Sequence, residues 1–148
     1  VFIVSEAVNR DNFWHDPSSE TRIDMMNESE ITDLLRRGVE IGSHTKTHKN
    51  LSKIDMQEAE KEISQSKKDL ERVLGTEIIS FAYPYGGGAF VKEIQDAVKN
   101  AGYSFAVSVK QGKSDITNER FCLRRIFVRG DDNMLDFHLN MTRGKSRF

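Results

Sequence analysis

Val39-Glu40-Ile41-Gly42-Ser43-His44-Thr45-Lys46-Thr47-His48 begins apolar, turns at a glycine and ends on two histidines four residues apart. Val39 to Gly42 reads as a short buried strand, and the polar residues after it as the loop at its carboxyl end. Upstream, Asn27 predicts an N-cap and Glu30 its capping-box partner, with Ile31, Leu34 and Leu35 on the buried face of a helix that Gly38 ends. Downstream, Asp55 and Glu58 open a longer helix and Gly75 follows its last turn. Ala59, Ile63, Ser66, Leu70, Val73 and Leu74 share one face of it, while Glu60, Lys67, Lys68 and Glu71 point to water.

The alternation extends in both directions. Val1-Phe2-Ile3-Val4 reads as a strand, and the polar stretch from Glu6 to Met26 as a long loop of the kind that often carries function. Ile78 to Ala82 is a further strand, and Phe90, Ile94, Ala97, Val98 and Ala101 mark a helix closed by Gly102. Phe105 to Val109 and Phe121 to Val128 are strands, and Asp131, Asp132 and Asn133 offer caps for a last helix from Met134 to about Met141. Strands alternating with helices imply an α/β fold, with parallel strands covered by outer helices in an open sheet or a barrel. With no internal repeat, low-complexity segment or linker, residues 1–148 read as one domain.

Composition narrows the function classes. A net charge of −1 argues against nucleic acid as the partner, because that footprint is a basic patch. The basic residues Arg143, Lys145 and Arg147 read as a solvated tail. No apolar run approaches the roughly 20 residues that a transmembrane helix needs. Cys122 is the single cysteine, which excludes an intrachain disulfide and a cysteine-based zinc site. The chain opens directly in an apolar run at Val1, which predicts that it starts inside a fold.

Two stretches could carry chemistry, each at the carboxyl end of a strand, where ligands of parallel α/β folds bind. His44 and His48 are spaced so that one turn or a tight loop can aim both imidazoles at one point. Neutral imidazole is a common ligand of zinc and related metals, and two of them leave positions for a carboxylate and water. Spacing alone leaves equally open two loop histidines bonded to backbone. The second stretch is Phe81-Ala82-Tyr83-Pro84-Tyr85-Gly86-Gly87-Gly88. Its proline and glycines allow backbone N–H groups to face a cleft and hold an oxyanion, and Tyr83 or Tyr85 could stack on a sugar face. Alone, it reads first as a structural turn.

Taken together, a strand ending Gly42-Ser43-His44-Thr45-Lys46-Thr47-His48 and, about forty residues later, Phe81-Ala82-Tyr83-Pro84-Tyr85-Gly86 resemble the polysaccharide deacetylases, carbohydrate esterase family 4. The resemblance implies a distorted (β/α) barrel in which a divalent metal, most often zinc, is held by two His and one Asp. His44 and His48 would be the histidine ligands. The backbone N–H of Tyr85 would help hold the oxyanion, with Tyr83, Pro84 and Gly86 bordering the substrate, an acetylated polysaccharide or oligosaccharide.

This chain departs from the family pattern at several points. The Asp-Asp motif that supplies the general base and the carboxylate ligand would precede Val1, so the barrel is expected to be incomplete, lacking its first β/α element. Such a chain is expected to bind metal weakly and to catalyse poorly alone. Ala82 stands where an Arg is usual, and Arg125, on a later strand, is the candidate replacement. The late Leu-x-His motif is not visible, and His138 reads as structural. His15, beside Trp14, could border the groove. An uncovered barrel edge at Val1–Val4 would invite self-association. The rival reading is a non-catalytic carbohydrate-binding domain on a degenerate deacetylase fold. The family resemblance points toward the cell envelope or secretion, with the cytoplasm open.

Overall fold

Five parallel strands lie side by side in one sheet, in the order in which the chain makes them. The structure is a computed structural model that describes residues 1–145, so Arg147 of the basic tail lies outside the described residues. The strands are β1 (Phe2–Ile3), β2 (Gly42–Ser43), β3 (Ser80–Ala82), β4 (Phe105–Gln111) and β5 (Leu123–Arg125). Parallel neighbours need a crossover, and helices α1 (Glu28–Arg36), α2 (Met56–Leu74), α3 (Lys92–Asn100) and α4 (Ile116–Glu119) sit in the four crossovers in turn. Helix α5 (Met134–Arg143) follows β5. The sheet is not closed: β1 and β5 are its edges, and the arrangement is that of an incomplete (β/α) barrel.

The local signals act as physical chemistry requires. Asn27 accepts from the Glu30 N–H while the Glu30 carboxylate accepts from the Asn27 N–H, so two otherwise orphaned donors at the start of α1 are satisfied. Asp55 caps α2 through the Glu58 N–H, and Gly75 ends it in the left-handed region at φ 62°. Helix α2 packs against α1 and α3 and buries Ala59, Glu62, Ile63, Ser66 and Leu70. Ala59, Ile63 and Leu70 join Ile31, Ile78, Phe81, Val98 and Ala106 in a continuous core.

Strand lengths differ from the sequence expectation. The ladder of β2 holds only Gly42 and Ser43, although Ile41 is still buried. The run Phe121–Val128 yields only a three-residue β5, and Phe127 and Val128 are exposed. As an edge strand, β5 has one neighbour, and a register shift between Val107 and Gln111 weakens that pairing. Phe90 lies before the start of α3, exposed beneath the Lys110 ammonium, and is not part of the buried helix face.

The close approach of β1, β2 and β3 depends on one small residue. A Cβ at Gly42 would lie 2.5 Å from Ser80 Oγ and 2.6 Å from the Phe2 ring. Overpacking of this kind typically costs about 1–3 kcal/mol. Gly42→Ala is therefore expected to lower the urea midpoint by a corresponding amount with an unchanged m-value; an unshifted midpoint would show that β1 is not held where the structure places it.

Candidate active site

Residues 43–48 leave β2 in a loop that is tied down from three sides. His44 N–H donates to the Ile3 carbonyl (2.8 Å), and Ser5 and Glu6 N–H groups donate to the carbonyls of Thr45 (3.1 Å) and Lys46 (3.0 Å). From α2, the buried Glu62 carboxylate accepts from Thr47 N–H (2.8 Å) and Thr47 Oγ1 (2.7 Å). Thr45 Oγ1 accepts from His48 N–H at 3.0 Å. Thr45 and His48 sit at φ 65° and 63°, a region that a β-branched residue such as Thr45 rarely enters. Such backbone persists only where its surroundings over-determine it, and the bonds above do so.

The loop after β3 meets this one. Tyr85 also lies in the left-handed region, at φ 56°, between Pro84 and Gly86. Its N–H makes no hydrogen bond among the described residues, and the residue is 61% exposed. A Cβ on Gly87 would fall 1.9 Å from Asn50 Oδ1, so the backbone of the second loop rests directly on a side chain of the first. The two sequence motifs thus form one structural unit.

His44 Nδ1 lies 2.7 Å from the Ala82 carbonyl. A carbonyl oxygen only accepts, so Nδ1 carries the proton and Nε2 keeps its lone pair in the neutral ring. The His44 and His48 rings lie 4.8 Å apart, centroid to centroid, and His48 Nδ1 is 3.2 Å from the Tyr85 hydroxyl. Burial lowers the pKa of His44, opposed by the bond to Ala82 and helped by the Arg125 charge. Burial, then the neighbouring His44 and His15, brings that of His48 down to about 4. Both imidazoles are therefore neutral near pH 7, the form that binds a divalent cation. Among the described residues no group of three His, Cys, Asp or Glu side chains could hold a metal ion.

The other candidates divide clearly. Arg125 stands on β5 with its Nε donating to the Ser108 carbonyl at 2.7 Å, and its charge reaches His44. Pro84 is buried and fixes the turn, and Gly86 packs against Val109. Tyr83 differs from the expectation of a sugar platform: it is 1% exposed, edge-on to Phe81, and its hydroxyl donates to the Phe121 carbonyl (2.7 Å), which leaves no ring face for a sugar. His138 is exposed on α5 rather than buried in a structural role. Asp132 accepts from Arg129 N–H (2.9 Å) and from Asn140 (3.1 Å) in the turn before α5, whose cap is Asn133. His15 pairs with Glu20 and lies edge-on to Trp14.

Two residues at the site escaped the sequence reading. Glu62 falls on the same helical face as Ala59, Ile63 and Ser66, so its spacing was a signal that its charge masked. Trp14 packs on His48 across a large sequence gap, and no local pattern announces that contact.

Comparison with known proteins agrees with this geometry. A family model described as "Polysaccharide deacetylase" matches residues 1–106. The Bacillus subtilis (strain 168) protein named "Putative polysaccharide deacetylase YxkH" is 24% identical over 103 residues, 70% of this chain and 36% of that protein. A polysaccharide deacetylase structure from Bacillus cereus is 26% identical, with a TM-score of 0.69 over 80% of this chain and 37% of that one. The Streptococcus pyogenes deacetylase PplD, solved with acetate, shares the fold at 20% identity and a TM-score of 0.68, covering 73% of this chain and 47% of that one. The chain thus spans between about a third and a half of the length of these relatives.

The two depressed histidines make stability depend on pH with a definite sign. The folded state resists protonation that the unfolded chain accepts near pH 6.5, so their contribution is present above that value and is lost below it, for His48 as pH falls toward about 4. The thermal midpoint is expected to drop over this window, and to drop less in His48→Gln. Equal slopes for the two proteins would show that His48 is not held neutral by the fold.

Proposed function

The chain belongs to the polysaccharide deacetylase family, and on that premise we propose that it serves the metal-dependent removal of acetyl groups, N- or O-linked, from an acetylated polysaccharide or oligosaccharide. One observation carries the reading: two neutral histidines meet 4.8 Å apart beside Tyr85, where β2 and β3 end. Their donor chemistry fits a divalent cation, with Zn²⁺ the first candidate, and His44 and His48 would hold it. A carboxylate completing the set would come from outside the described residues. When bound, the cation supplies Lewis-acid polarisation of the acetyl carbonyl.

This chain's residues have separate tasks in that reaction. The free N–H of Tyr85, fixed by the Pro84–Gly86 turn, is a donor for the oxyanion that forms when the carbonyl is attacked. The exposed Tyr85 ring offers a face to the sugar. Arg125 adds positive charge on the His44 side, favouring the oxyanion and disfavouring a proton on His44. The bond from His44 Nδ1 to Ala82 fixes the tautomer and directs Nε2 to the ligand.

Calorimetry with Zn²⁺, paired with acetate release from an acetylated chitooligosaccharide, tests this reading. The wild-type chain is expected to bind Zn²⁺ and to release acetate slowly, with binding lost in His44→Ala and release abolished by a chelator. Sugar binding that survives chelation without any acetate release would instead favour a carbohydrate-binding role.

A further inference from the structure

The loop between β1 and α1 brings Trp14 onto His48, with ring centroids 4.6 Å apart and planes inclined by 34°. Tyr85 meets the same imidazole at 4.8 Å and 65°, and His44 at 4.8 Å and 68°. His48 is thus enclosed by three rings contributed by three different loops. The two histidines are fixed by different means. His44 is anchored by a short bond to a backbone carbonyl, at 2.7 Å. His48 has one polar ring contact, at 3.2 Å, to a tyrosine hydroxyl that is itself on an exposed side chain. That contact alone is a weak constraint on a ring carried by left-handed backbone.

Trp14 is well placed to supply the missing constraint, because its own loop is rigidly built. Asn12, 3% exposed, donates from Nδ2 to the Thr21 carbonyl (3.0 Å) and accepts at Oδ1 from Ile23 N–H (2.8 Å). Met25 N–H donates to the Arg10 carbonyl at 2.8 Å, closing the loop's neck. Phe13 packs edge-on to Trp14 at 5.3 Å, and the Arg10 guanidinium lies over Phe13. The polar stretch from Glu6 to Met26 is thereby folded into a mount for one indole.

We propose that Trp14 is a positioning residue that holds the His48 imidazole in the orientation that aims it, with His44, at a shared cation. The proposal rests on the reading of His44 and His48 as cation ligands. In this role the indole acts through the His48 ring on which it packs. It removes the rotamers of His48 that would turn its ring nitrogen away, so that little ordering is left for binding to impose.

Trp14 is the only tryptophan, which makes it a spectroscopic probe of its own role. In the full chain, Co²⁺ is expected to quench Trp14 emission, and His48→Ala to abolish the quenching. Supporting residues of metal ligands typically contribute about tenfold or more in affinity, so Trp14→Ala is expected to weaken Zn²⁺ binding in calorimetry by about tenfold, with Trp14→Phe restoring most of it. Without metal, the His48 ring protons should show a ring-current shift in NMR that disappears in Trp14→Ala. Zn²⁺ binding by Trp14→Ala as tight as wild type, or binding by Trp14→Phe as weak as by Trp14→Ala, overturns the proposal. If His44→Ala binds Zn²⁺ like the wild type, the cation reading itself fails. The metal-free spectrum then decides the clamp alone: a His48 resonance unmoved by Trp14→Ala refutes it, and a displaced, rotamer-averaged one sustains it.

Discussion

The buried carboxylate of Glu62, reaching from α2 to both the N–H and the hydroxyl of Thr47, is the interaction on which the site depends. A charge that is 5% exposed costs several kcal/mol in desolvation unless it is fully engaged, and here two short charge-assisted hydrogen bonds engage it. The loop it restrains contains two residues in left-handed backbone, each of which costs of order 1–3 kcal/mol. The anchor from the helix falls on Thr47, between these two residues, and so opposes relaxation of either toward ordinary φ values. The longest helix of the chain therefore does two jobs. Its apolar residues build the core, and its one buried acid sets the shape of the loop above the sheet.

From that anchor the rest of the site follows by contact. The loop's other flank is bonded to the end of β1 through Ile3, Thr45 and Lys46, and the ring of His44 is bonded to the end of β3 through Ala82. The turn after β3 closes onto Asn50 with no room for a side chain at Gly87. Three strand ends are thus locked to one another by backbone hydrogen bonds and the His44 ring before any ligand arrives. Preorganisation of this kind is what electrostatic catalysis requires, since donors that are already aimed need not reorient as charge develops.

The parts of this arrangement that were legible in the sequence are those with local causes. Capping at Asn27 and Asp55, the glycine stop at Gly75 and the apolar stripe of α2 depend on residues within a few positions, and they appear where their chemistry places them. His44, His48 and Tyr85 are legible because two short motifs coincide, and the structure brings their rings together. What was not legible depends on distance. Tyr83 looks like its neighbour Tyr85 in sequence, but Tyr83 runs on from β3 into the core, whereas the turn at Pro84 and the left-handed backbone of Tyr85 leave the second residue in solvent. Phe121–Val128 has strand composition throughout, yet pairing partners exist for only three of its residues. Trp14 reaches His48 from a loop whose path is set by Asn12, a polar residue that reads as exposed until its bonds are seen.

Neutral imidazoles join the fold's stability to its chemistry. Burial keeps protons off both rings, aided at His44 by the Arg125 charge and at His48 by His44 and His15, and on the proposed reading the lone pairs left free of protons are those that would hold a cation. Enclosing His48 among Trp14, Tyr85 and His44 fixes it in place and also raises the cost of charging it. Acid would therefore act twice at one place: protons would compete with the proposed cation for the ring nitrogens, and a charged ring is disfavoured within the enclosure. A cation held there, as proposed, would oppose both effects by binding the folded chain in preference to the unfolded one. The aromatic enclosure, the strained loop and the buried glutamate are three parts of a single device for presenting two uncharged nitrogens in fixed directions.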